Sequence, residues 1–142
     1  MHIRTALEKD AEKISELSSQ LGYPTGEHQT IENIRRINAD NDQRVFVAEL
    51  DESVVGWIQL QKRIMLISTP FVEIVGLIVE ANHRNRNVGR SLVQEGIRWA
   101  KDENIQSLRV RSNAIRGESH GFYTAIGFRE VKMQKVYDWD AE

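Results

Sequence analysis

The feature that most constrains this chain is the stretch from Phe71 to Ala100, FVEIVGLIVEANHRNRNVGRSLVQEGIRWA. A largely apolar run (Val72, Ile74, Val75, Leu77, Ile78, Val79) passes through a polar, arginine-bearing loop. It then enters a segment whose apolar residues Leu92, Val93, Ile97 and Ala100 recur at helical spacing. The pattern predicts a buried strand, a turn and an amphipathic helix in immediate succession. A helix entered in this way directs unpaired N–H groups and the positive end of its dipole at the turn, so a phosphate is the natural guest there. Arg84, Arg86 and Arg90 add positive charge around that point.

The rest of the chain is read around this unit. Its 142 residues, 40% hydrophobic and 28% charged, suit one globular domain with a single core. Ile3 to Leu7 reads as a first strand, with Asp10 as the N-cap of a helix that buries Ile14, Leu17 and Leu21 and ends at Gly22. The turn-rich LGYPTGEH leads to a second helix carrying Ile31, Ile34 and Ile37. Arg44 to Leu50 and Val54 to Gln61 read as an antiparallel hairpin turning at Asp51-Glu52-Ser53. After the central helix come a strand around Leu108 to Val110, a short helix near Ser119 to Ala125, and a last strand from Phe128 to Tyr137. The element order is β-α-α-β-β-β-α-β-α-β, a mixed α/β (α+β) domain.

Composition excludes several function classes. A net charge of -2 argues against a general binder of nucleic acid or anionic membrane, which uses a basic excess to release counterions. Glu80 lies beside, and Glu95 within, the one basic segment, Arg84 to Arg98. With no cysteine there is no thiolate zinc site and no cysteine nucleophile. The four histidines show no ligand spacing, so no metal is expected. MHIRTALEKD lacks an apolar signal core and no apolar run is long enough to span a bilayer, so a cytoplasmic protein is expected. The loop has neither GxxxxGK[ST] nor GxGxxG, which removes the main support for nucleotide-triphosphate and dinucleotide readings.

Arg84 to Gly89 resembles the pyrophosphate loop Q/R-x-x-G-x-G/A of the GNAT N-acetyltransferases, with Asn87 standing for the first glycine. Asparagine tolerates left-handed backbone angles, so it can replace glycine at modest cost. Asn113, followed by the helix and Tyr123-Thr124-Ala125-Ile126-Gly127-Phe128, resembles the family's late signature. The resemblance covers nearly the whole chain. It implies one GNAT-like domain over 1–142, with a mostly antiparallel sheet of six or seven strands and about four helices. It also implies acetyl-CoA as cosubstrate, no metal, and an amine of a small molecule or peptide as acceptor, attacked directly in a ternary complex.

On that resemblance Leu77, Ile78 and Val79 pair with the pantetheine arm. The pyrophosphate lies against Arg84, Asn85, Arg86, Asn87, Val88, Gly89, Arg90 and Ser91, with Asn113 nearby, and Tyr123 takes the acid position. Glu73 is the only charge between Phe71 and Val79, and strict alternation puts it on one face with Phe71, Val75 and Leu77. Two readings of it stay open: a buried carboxyl suited to act as base, as the family's glutamate does, or a solvated strand end. Glu80 and a water relay are the other candidates for the base. Tyr23 and His28 read as acceptor-loop or ordinary loop residues, and Trp57 and Trp99 as packing residues. Trp139 reads as an exposed residue or part of a homodimer contact. The alternative from another class is a catalytically silent acyl-CoA-binding module on the same fold.

Overall fold

The computed structural model describes residues 1–84, 87–111 and 117–141, which fall into two compact units, 1–110 and 111–142. The first unit is built on five strands in chain order: β1 (His2–Thr5), β2 (Gln43–Leu50), β3 (Ser53–Arg63), β4 (Phe71–Val79) and β5 (Leu108–Val110). The first four pair antiparallel and β5 joins β4 in parallel. Asp51 and Glu52 both take positive φ (51° and 64°), as a two-residue hairpin loop with the strand's own twist requires.

The helices α1 (Ala11–Gln20), α2 (Glu27–Asn38) and α3 (Val88–Asp102) divide between the two faces of the sheet. Ile14 and Leu17 of α1 and Ile34 of α2 share a cluster with Val45, Val47, Ile78 and the indole of Trp57. The opposite face belongs to α3, because Gly56 and Leu60, alternate with Trp57 on β3, are the residues that meet it. A Cβ on Gly56 would stand 3.1 Å from Val88 Cγ1, and one on Gly96 3.0 Å from Leu60 Cδ2, so these glycines let α3 lie close against β3. Val47, Ile58, Leu60, Val72 and Leu92 are wholly or almost wholly buried between these layers.

Asp10 does not cap α1 through its side chain. Its carboxylate accepts the Leu7 N–H at 2.8 Å and meets Arg4 with two bonds of 2.8 Å, closing the 3-10 turn Glu8–Asp10 instead. Among the described residues no helix is long and apolar enough to cross a membrane.

The second unit contains α4 (Gly117–Ala125) and a tail, 126–141, without helix or strand. The expected last strand, 128–137, does not form. Alternation gives a strand sidedness only when one face is covered, and Val131, Met133 and Val136, which span both parities, are all exposed (61%, 75% and 85%). Among the described residues the sheet therefore has five strands, against the six or seven expected, with the mixed class unchanged.

Candidate active site

The site begins where β4 and β5 part. Their ladder covers only Val72–Ile74 against Leu108–Val110, and among the described residues no strand pairs with that edge of β4 beyond Ile74. The phase of the β3–β4 ladder follows from Glu80 N–H donating to Val55 O at 2.8 Å. Hydrogen-bonded and non-hydrogen-bonded pairs alternate, so Ile78 spends its peptide groups on Trp57. Leu77 and Val79, opposite Ile58 and Gly56, turn theirs toward the open edge. Of the three residues expected to offer backbone groups, two are free to do so.

The open edge leads through the 3-10 turn Ala81–His83 to the start of α3. Glu80 holds this junction: its carboxylate lies 2.9 Å from His83 Nδ1, and its ion pair with Lys13 Nζ of α1 at 3.6 Å ties α1 to the loop. Asn87, the residue before the helix, has φ 62° and ψ 16°, the left-handed conformation a glycine would take. Ser91 N–H already bonds to Asn87 O at 2.9 Å, so the donors that helix geometry leaves unpaired are those of Asn87, Val88, Gly89 and Arg90. Val88, 2% exposed, anchors this end of the helix over Gly56, while Arg84 and Arg90 are exposed beside it. Asn85 and Arg86, like Asn113, lie outside the described residues. The chemistry of this end of α3 suits a phosphate group, since its first four amide N–H groups lack helical partners behind an αL residue and two arginines nearby in sequence, Arg84 and Arg90, are exposed.

Glu73 is buried, at 8% exposure, which settles the choice between a solvated and a buried carboxyl. Its face differs from the expected one. The β3–β4 register shifts between Gln59–Gly76 and Leu60–Ile74, which makes Val75 a bulge, 44% exposed. Past the bulge the alternation inverts, so Glu73 shares its face with Phe71, Gly76 and Ile78, not with Val75 and Leu77. That is the face covered at its other end by α1 and α2. Along it, Gln43, Gln61, Glu73 and Arg109 are cross-strand partners in one row over four strands. Arg109 lays its guanidinium over the Phe71 ring, 4.2 Å from the centroid. The glutamines drew no attention in sequence; the signal available was their alternate spacing, Gln59 and Gln61 opposite Gln43.

Tyr123 belongs to the second unit. Phe128 N–H bonds to Tyr123 O (2.9 Å), Gly127 N–H to Thr124 O (3.2 Å), and Gly127 has φ 102°. This is a Schellman cap, and the contact between the Tyr123 and Phe128 rings, 5.6 Å between centroids, is the apolar pairing that accompanies one. The Tyr-x-x-x-Gly-Phe spacing thus has a structural basis in how α4 ends. Burial pushes the Tyr123 phenol up to about 12. Of the other aromatic residues, Trp99 is buried under the Arg44 guanidinium at 5.6 Å, Tyr23 is half exposed and Trp139 almost fully exposed.

The model of the acetyltransferase (GNAT) family matches residues 9–128. N-acetyltransferase 8B of Homo sapiens is 23% identical over 95 residues, which are 66% of this chain and 42% of that protein. Solved structures align over the full chain. An aminoglycoside antibiotic 6'-N-acetyltransferase from Acinetobacter haemolyticus superposes with a TM-score of 0.87 at 18% identity, covering 100% of both chains. AAC(6')-Iy, in complex with the bisubstrate analogue CoA-S-monomethyl-acetylneamine, gives 0.88 at 20% identity over 99% of this chain and 98% of that one. At such identities the likeness is one of fold.

Proposed function

The chain belongs to the acetyltransferase (GNAT) family, and on that premise we propose that it transfers an acetyl group from acetyl-CoA to a primary amine of a small molecule or peptide, by direct attack in a ternary complex. The observation that carries this reading is the adjacency of two unsatisfied backbone surfaces: the open edge of β4 at Leu77 and Val79, and the amide donors of Asn87 to Arg90 one short loop later. The first suits the amides of a pantetheine arm and the second a pyrophosphate. When bound, acetyl-CoA supplies the acetyl group as a thioester.

The residues of the chain then divide the proton work. The amine must reach the thioester neutral, and Glu73 takes its proton, a role supported by its burial and by its position on β4 just before the bulge. Tyr123 gives a proton to the departing thiolate. Its phenol, pushed up to about 12, stays protonated throughout the working range. With no cysteine in the chain, no acyl-cysteine intermediate intervenes.

The test is release of thiol from acetyl-CoA across a panel of amines. Tyr123→Phe and Glu73→Gln should each lower kcat by about 10²-fold or more, the usual scale of general acid–base catalysis, with the KM for acetyl-CoA little changed. Because the phenol titrates only near 12, wild-type kcat should show no phenol-dependent fall below about pH 10. Tight CoA binding without acetylation of any amine would identify a silent acyl-CoA-binding module instead.

A further inference from the structure

Trp57 stands at a boundary on β3. On the face beneath α1 and α2 its cross-strand partners, Val47 and Ile78, belong to the apolar cluster, whereas the next residue of β3 on that face is the half-buried Gln59. The indole leans from β3 across to β4: a Cβ on Gly76, the partner of Gln59, would stand 2.9 Å from Cζ3 and Cη2. The bare glycine therefore seats the outer edge of the six-membered ring. The N–H belongs to the five-membered ring and takes no part in that seat.

That N–H is left without a use inside the protein. Nε1 is buried and has no hydrogen-bond partner among the described residues. An indole nitrogen only donates, and a buried tryptophan ordinarily gives it an acceptor. The surroundings offer none: Val47, Gly76 and Ile78 have no polar side-chain atoms, and the backbone of β3, an internal strand, is engaged by its ladders to β2 and β4. For packing alone a phenylalanine would fill this place without the cost of a desolvated, unpaired donor.

We infer that the bound amine supplies the missing partner: the Trp57 N–H donates to it, and the site selects a primary amine that also carries a neutral, acceptor-only oxygen, an ether or a carbonyl. The inference rests on the acetyltransferase reading and adds a specificity-determining residue to it. Acetyl-CoA does not fill this role, because its pantetheine arm takes the open edge of β4 at Leu77 and Val79, whereas the indole reaches the face of β4 from the β3 side. A donor-only group gains nothing from a second donor, so an oxygen without hydrogen is its best match. A carboxylate is a poor one, since Val47 and Ile78 provide no counter-charge beside the ring. An amine with only alkyl substituents would displace water from Nε1 and leave the donor unpaired, the situation from which hydrogen-bonding sites draw their discrimination.

The experiment compares two isosteric acceptors, 2-methoxyethylamine and n-butylamine, which differ only in an ether oxygen replacing a CH2. Where neither is acetylated, an oxygen-bearing amine that is, paired with its methylene analogue, takes their place. Indole N–H resonances of the CoA-loaded wild type, assigned from their backbone connectivities, are followed by 15N–1H NMR in parallel, so the answer does not depend on a variant that folds. Wild-type kcat/KM should favour the ether about tenfold or more, the scale of leaving a buried donor unpaired. Trp57→Phe keeps an aromatic ring and removes the N–H, so the preference should vanish while the KM for acetyl-CoA is unchanged. A tryptophan that only packs would, when replaced, lower the use of both amines alike and leave their ratio as it was. Equal use of the two amines by the wild type, or an unaltered ratio in Trp57→Phe, overturns the inference and leaves the acetyltransferase reading standing. If no amine is acetylated, that reading fails, and Trp57 is judged by NMR alone. A shift of its N–H signal with 2-methoxyethylamine and not with n-butylamine then upholds it as the amine's hydrogen-bond donor, and equal shifts or none overturn it.

Discussion

Gly76 lies where the apolar core meets the half-buried glutamines of β2 and β3, and replacing it with alanine tests that geometry directly. Its backbone lies outside the positive-φ region, so only space forbids a side chain there: a Cβ would stand 2.9 Å from both Cη2 and Cζ3 of Trp57. Carbon atoms rest about 3.5 Å or more apart, so the indole must retreat by about 0.6 Å. It has little freedom to do so, because it packs against the α1/α2 cluster and its Nε1 is buried. Overpacking of this kind costs about 1–3 kcal/mol. In a chain of this length that lowers Tm by about 3–9 °C. In a Trp57→Leu background the clash is gone, and Gly76→Ala should be neutral or slightly stabilising, since a strand glycine carries extra unfolded-state entropy. Melting curves of the wild type, both single variants and the double variant close the cycle, with a coupling of at least about 1 kcal/mol expected. A Gly76→Ala protein melting within about 1 °C of wild type, or losing the same stability in both backgrounds, would refute the placement of the indole over β4.

Two further predictions concern the start of α3 and the N-terminal turn. Asn87→Gly should keep or slightly raise stability, whereas Asn87→Val, forcing a β-branched residue to φ near 62°, should cost about 1–3 kcal/mol and weaken CoA binding. Melting and CoA titration check this, and identical behaviour of the two variants would refute it. Asp10→Ala strips the buried partner from Arg4 and leaves the Leu7 N–H unpaired, so a loss of about 3–5 kcal/mol is expected in denaturant titration. Burial pushes the Asp10 carboxyl upward, but the Arg4 bonds and the Leu7 N–H outweigh it and hold the carboxyl below its ordinary value of 3.8. Its contribution is therefore complete above that value and lost as pH falls through the lower folded one. Asp10→Asn should lack that acid-side loss, as stability measured from pH 5 to 2 will show.

Much of the first unit was legible because its signals are local. Helix periodicity in α1, α2 and α3, the hairpin around Asp51-Glu52 and the strand–turn–helix succession at Phe71 to Ala100 each lie within a short window of sequence. Even the left-handed turn at Asn87 was readable, since few residues other than glycine accept that conformation. The tail was misread for the complementary reason. Alternation from Phe128 to Tyr137 expresses a capacity for strand pairing, and the ladder that would realise it involves residues far away in sequence.

By itself, then, the chain determined which segments turn, which are helical, and that a left-handed turn and a helix start follow a buried strand, because these follow from backbone preference and short-range periodicity. Only the tertiary structure decided which way Glu73 faces and what lies beside it. The bulge at Val75 exists as a mismatch between two strands, and a one-residue offset inverts every side chain beyond it. The same pairing assembled Gln43, Gln59 and Gln61 into one floor and left Leu77 and Val79 facing an open edge, arrangements that depend on the register between strands.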